Sequence, residues 1–185
     1  MLVIPGYIIS ILTFPGVIIH EFAHMVFCRL KRIPVYDVKY FQFDTQVQGY
    51  VVHDRTDSFR SAFLISIGPF IINTALCLIM CFPATLRIFF FDDFNLLTFL
   101  MLWLGVSIGM HAFPSIQDAE NVWDLAKIEA KKNNVLAILS FPLVIVIISA
   151  NVLRAIWFDA IYGVLIGIVL PERIIHLVFF SGQGQ

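Results

Sequence analysis

The chain has 185 residues, of which 59% are hydrophobic and only 14% charged, with a net charge of −1. So few charges cannot cover the surface of a soluble domain of this length, and no basic cluster points to nucleic acid. Residues 1–19, 61–86, 94–117 and 135–153 contain no Asp, Glu, Lys or Arg, and each run is close to or above the ~20 residues that cross a bilayer as a helix. The expectation is an all-α polytopic membrane protein with about five transmembrane helices set in a lipid bilayer.

The first helix is predicted over 2–30, with kinks at Pro5-Gly6 and Pro15-Gly16, because proline removes a helix hydrogen bond. It is not read as a cleaved signal peptide, since it lacks a basic start. Within it stands His20-Glu21-Phe22-Ala23-His24. Histidines four residues apart on a helix share one face, so both imidazoles can reach one metal ion. Glu21, beside them, can hold or deprotonate water. Titratable side chains in so apolar a segment are costly, which argues for function over packing.

After Arg29, Lys31 and Arg32 the sequence turns polar over 33–57. Residues 35–43 and 47–53 read as two strands, with Asp44-Thr45-Gln46 turning between them. Helices are expected next over 58–82 and 95–113. Pro114-Ser115 breaks the pattern. A polar helix over 116–132 carries Val122, Leu125, Ala126 and Ile128 at a spacing suited to lying on the membrane surface. Apolar helices over 134–157 and 158–180 complete the chain. Cys77 and Cys81, one turn apart, read as small packing residues.

Lys and Arg are concentrated in 29–60 and 127–132, against Arg87 and Arg154 for the opposite connections. Positive charge marks the cytoplasmic side, so the hairpin and the polar helix are placed there. The third helix then ends at the membrane depth of the histidines, where the chain offers His111 and Asp118. A catalytic zinc commonly takes three protein ligands, and either residue can complete the set. Asp118 can equally be a helix-start residue favoured by the dipole, and His111 a buried hydrogen-bonding histidine.

The chain resembles the site-2 protease family of intramembrane zinc metalloproteases, in a minimal form. His20, Glu21 and His24 match its His-Glu-x-x-His. Gly68-Pro69 followed by Asn73 is similar to its glycine-proline helix start. His111-Ala112-Phe113-Pro114 with Asp118 is similar to its third motif, His111 standing where the family has asparagine. The resemblance covers about 3–118. It implies a three-helix catalytic core over 1–118 with the hairpin 33–57 inserted, then 119–185 as a surface helix and one or two further membrane helices. It also implies one zinc ion held by His20, His24 and Asp118, with Glu21 as the catalytic base. His111 and Asn73 would support the ligands or the substrate, Asn73 at the oxyanion. The partner implied is a transmembrane protein substrate, locally extended, which the hairpin can accept as an added strand. A structural cap is the other reading of the hairpin.

The expected location is a prokaryotic plasma membrane, with the site near the cytoplasmic side. A catalytically silent binding or regulatory partner is the alternative. An ion transporter would need buried carboxylates along a path, which the charge-free runs lack.

Overall fold

The longest element is α3, Phe59–Phe91, and the other helices are placed against it in the computed structural model, which describes residues 6–44 and 47–179. Its 33 residues span about 50 Å at 1.5 Å per residue. Ser58 caps it by accepting the Ser61 N–H at 3.4 Å. The helix continues well past the expected end at residue 82, through Pro69 and Pro83. In apolar surroundings a helix is the one way to satisfy a single chain's backbone, so a proline costs one bond without ending it.

Upstream, the predicted single helix is two. Helix α1, Gly6–Leu12, meets α2, Phe14–Leu30, at an angle of 87°. Pro15 sits in the first turn of α2, where its missing N–H costs nothing. The kink expected there is therefore a break at Thr13. Pro5 lies outside the described residues. Two strands follow, β1 (Val35–Lys39) and β2 (Tyr50–His53), antiparallel, with Lys39 opposite Tyr50 and Val38 opposite Val51. They are shorter than predicted, and of the expected turn Thr45 and Gln46 lie outside the described residues. Aromatic contacts fix the hairpin to the bundle: Phe41 lies 5.8 Å from Phe14, and Tyr40 lies 6.3 Å from Phe22.

Helix α4, Leu96–Met110, starts at a reciprocal cap between Asn95 and Thr98. It packs on α3 and on the last helix, α7, Phe158–Phe179, which contains a π-type turn at Leu165–Val169. Small residues let these three backbones approach. A Cβ on Gly109 would sit 2.8 Å from the Cys77 Sγ, and one on Gly167 would sit 2.9 Å from the Cys81 Sγ. Without a hydrophobic drive between helices in lipid, such close packing supplies the association. Both cysteines are buried and free, as packing residues should be.

Helix α5, Ile116–Ala130, and α6, Val135–Leu153, form an antiparallel pair, joined by a turn in which Asn133 takes a left-handed φ of 58°. Val122 and Ala126 of α5 do not face lipid. They are buried with Ala137, Val144 and Ile147 of α6 against Phe59 and Ile67 of α3, while Ile128 stays exposed. Because α6 runs back along α5, its end returns to where α5 begins. Asn151 donates to the Pro114 carbonyl at 2.9 Å, and Arg154 donates to the Phe113 carbonyl at 3.4 Å. The charge count grouped Arg154 with the connections remote from the hairpin, whereas its guanidinium lies at the same end of α4 as His111.

Three helices are long and apolar enough to cross a membrane, Phe59–Phe91, Val135–Ile156 and Phe158–Phe179, or four if α1 and α2 make one broken span. Helix α4 is apolar but has 15 residues.

Gly16 is the tightest joint between α2 and α4. A Cβ there would overlap the Ser107 carbonyl oxygen and stand at the His111 ring. Gly16→Val is expected to destabilise the fold by about 1–3 kcal/mol, as overpacking does. Gly6→Ala, at a glycine with nothing within 4 Å, serves as the control. Thermal unfolding midpoints in detergent should drop for the first substitution only.

Candidate metal centre

The site lies where α2, the 111–115 connection and the start of α5 meet. His20 and His24 stand one helical turn apart on α2, their ring centroids 4.9 Å from each other. Each ring is held by its Nδ1. His20 donates to the His111 carbonyl at 2.6 Å, and His24 donates to the Ile65 carbonyl at 3.0 Å. A carbonyl can only accept, so both Nδ1 atoms carry hydrogen, and a neutral ring then keeps its lone pair on Nε2. This is the support that metal-binding imidazoles characteristically have.

Asp118 comes to the same place from α5. It occupies the third position of that helix in a reciprocal cap with Ser115. Its N–H donates to Ser115 Oγ at 3.1 Å, and its Oδ2 accepts from the Ser115 N–H at 3.0 Å and hydroxyl at 2.6 Å. The same Oδ2 lies 3.5 Å from His24 Nε2. Burial alone would push this carboxyl up, but the close approach of the His24 ring and the bond from Ser115 hold it well below the usual carboxylate range. Asp118 is thus both a helix-start residue and a member of the cluster. His20, His24 and Asp118 present one ligand atom each, all within 4.8 Å of one another. Two imidazole nitrogens and an ionised carboxylate form a donor set that suits a divalent ion.

The 111–115 connection is itself fixed in place. Phe113 packs 4.8 Å from Tyr162, 5.5 Å from Phe158 and 5.5 Å from Phe70, and Ala112, Phe113 and Pro114 are buried. Asn73 reaches it from α3. Its amide donates to the His111 carbonyl at 3.1 Å, to Ile108 at 3.1 Å and more weakly to Gly16 at 3.4 Å. Fully buried and with its N–H groups engaged, Asn73 supports the carbonyl that holds His20 and presents no donor to a substrate. His111 contributes its backbone to His20. Its side chain turns away to Thr13, 2.8 Å from Nε2, and Thr13 in turn donates to the Ile9 carbonyl. The described residues therefore bring Asp118, and not the His111 ring, to the two histidines.

Glu21 lies next to His20 but faces two cavities. The first, of about 820 Å³, is lined by Tyr7, Ser10, His111, Phe113, Arg154 and Trp157 among others. The second, of about 690 Å³, is bounded by all of β2 and by Asp118, Asn121 and Asp124 of α5. His20, Glu21, Val47, Gly49 and Ser115 line both. Gly49 is pressed against Glu21, for a Cβ there would come within 2.7 Å of the Glu21 Cγ. No described residue hydrogen-bonds the Glu21 carboxylate. His53 hydrogen-bonds the Asp54 carbonyl, outside the cluster.

Thr13, the Ile65 carbonyl and Ser115 were not singled out from the sequence. Only Ser115 had a readable signal, the Ser-x-x-Asp spacing of a helix cap. No protein family, curated protein or solved structure was found to match the chain.

Proposed function

We propose that the chain is an intramembrane zinc metalloprotease of the site-2 protease kind, which hydrolyses peptide bonds of membrane-embedded protein substrates. The observation that carries this reading is the convergence of His20, His24 and Asp118 beside a glutamate with no hydrogen-bond partner of its own among the described residues. His20 and His24 would hold the ion through Nε2 and Asp118 through its carboxylate. Three protein donors leave a place for water, as catalytic and not structural zinc requires. When bound, zinc would supply Lewis acidity, polarising a carbonyl oxygen and making a water more acidic.

The rest falls to the chain's own residues. Glu21 accepts the proton of the attacking water and returns it to the leaving amine. Its place on both cavities puts it beside any peptide that threads from one to the other. Residues 50–53 of β2 border the second cavity consecutively, so an extended substrate can pair with that strand edge, its alternate side chains entering the cavity. Asn73 and the His111 carbonyl keep the His20 ring from rotating. In this reading about five membrane segments (α1 with α2, α3, α4, α6 and α7) lie in a prokaryotic plasma membrane. Residues 1–118 form the catalytic core, 119–185 flank it, and the hairpin and α5 face the cytoplasm.

Purified protein should carry about one zinc ion per chain by mass spectrometry of the metal, and His20→Ala well under a tenth of that. The wild type should also cleave a panel of reconstituted single-span proteins, and a chelator should stop it. Cleavage that persists in chelator would sink the proposal, and zinc without any cleavage would leave a binding partner in its place.

A further inference from the structure

We infer that Arg154 forms a carboxylate-binding subsite beside the cluster, and that the protein selects peptides carrying a negative charge within a few residues of the reacting bond. This rests on the protease reading above and names a substrate property that the reading lacks. Arg154 lines the first cavity together with His20 and Glu21. Its one hydrogen bond among the described residues runs from Nη2 to the Phe113 carbonyl, at 3.4 Å. That leaves most of a five-donor guanidinium without a partner.

No carboxylate among the described residues forms an ion pair with it, and Asp159 acts on it only at longer range. Asp159 lines the same cavity, but its Oδ1 accepts the Ala160 N–H at 2.8 Å and no ion pair joins it to Arg154. The wall of that cavity mixes apolar and aromatic residues (Ala155, Trp157, Phe113, Met110) with polar ones (Ser10, Gln48, Ser115). Exposed and held by a single long hydrogen bond, the guanidinium is open to a ligand from the cavity side. Its planar fork suits a carboxylate above other anionic groups of a peptide.

The position sets the reach. His111, whose carbonyl holds His20, and Phe113, whose carbonyl holds Arg154, are two residues apart. Two residues span at most about 7 Å, and with the 2.6 Å and 3.4 Å hydrogen bonds at either end the guanidinium stands within roughly four extended substrate residues of the His20 ring. A peptide crossing from the second cavity into the first brings its negative group to Arg154 after passing Glu21. The group is either an internal Asp or Glu side chain or a free carboxyl terminus, and both offer the same two oxygens.

Binding can be measured apart from cleavage with Glu21→Gln protein in phosphatidylcholine nanodiscs. The probes are fluorescent apolar peptides with Glu, Gln or Lys three residues from the centre and an amidated end. A further pair lacks acidic side chains and ends in a free or an amidated carboxyl. By anisotropy, the Glu peptide should bind about tenfold more tightly than the Gln peptide, as a charged hydrogen bond permits. Arg154→Gln should remove that preference, and Arg154→Glu should transfer it to the Lys peptide. The second pair tells whether a terminal carboxylate serves as well as a side chain. Equal binding of Glu and Gln peptides together with equal binding of the free and amidated pair, no binding at all, a preference that survives Arg154→Gln, or an effect of Arg154 that follows only added phosphatidylglycerol would each overturn the inference. Cleavage of the peptides by protein with Glu21 intact, without a charge preference, removes the subsite and leaves the protease reading. A preference dependent on Arg154, with no cleavage, does the reverse.

Discussion

Glu21→Gln is expected to lose peptide hydrolysis by about 10²–10⁴-fold while keeping its zinc, because a positioned general base contributes that much and an amide cannot accept the proton. The substitution keeps the shape of the side chain, so the contact of Gly49 with the Glu21 Cγ is undisturbed. Because His20, His24 and Asp118 form the donor set without Glu21, metal content should stay near the wild-type value. Parallel metal analysis and single-turnover cleavage of a reconstituted substrate give the two readouts. Equal cleavage by the variant, or loss of zinc with activity, would remove Glu21 from the role of base.

The second large effect separates Asp118 from His111. Asp118→Ala should weaken zinc by more than about 100-fold, beyond the 10–100-fold typical of a residue that only supports a ligand. His111→Ala should fall within or below that range, since the carbonyl that His20 uses belongs to the backbone and survives the change. Alanine at 118 also removes Asp118's half of the reciprocal cap of α5, leaving the Ser115 half in place. Asp118→Asn keeps an oxygen for Ser115 while removing the charge, so it isolates the electrostatic part. Competition with a chromophoric chelator measures all three. A larger loss for His111→Ala than for Asp118→Asn would transfer the ligand role to His111.

The two histidines and Glu21 were legible because an i, i+4 spacing has a geometric meaning that survives any tertiary context. Asp118 was legible only as one of two candidates. The family resemblance favoured it, and the fold adds the physical ground: Ser115 caps α5 and turns the carboxylate inward, while Thr13 takes the His111 ring. The helices were found from apolar runs, but their ends were displaced where a proline could be read either way. Pro15 opens α2 after a break, whereas Pro69 and Pro83 lie inside α3. The residue type is the same in each case, and the surrounding packing decides. The course of α6 was hidden for a similar reason. Its composition says that it is apolar, and only its pairing with α5 says that it returns to Pro114.

The hydrogen bond from His20 to a carbonyl 91 positions later also has a meaning in time. At ribosomal rates of about 5–20 residues per second, the stretch from His24 to Asp118 takes roughly 5–20 s to emerge. Throughout that interval the nascent α2 holds two imidazoles and a glutamate with neither the carbonyl brace nor the carboxylate. The three-donor set exists only once α5 has been made and has docked, so under the proposed function metal capture would be a late step of biogenesis and an unfinished chain would have no competent centre with which to cut its neighbours.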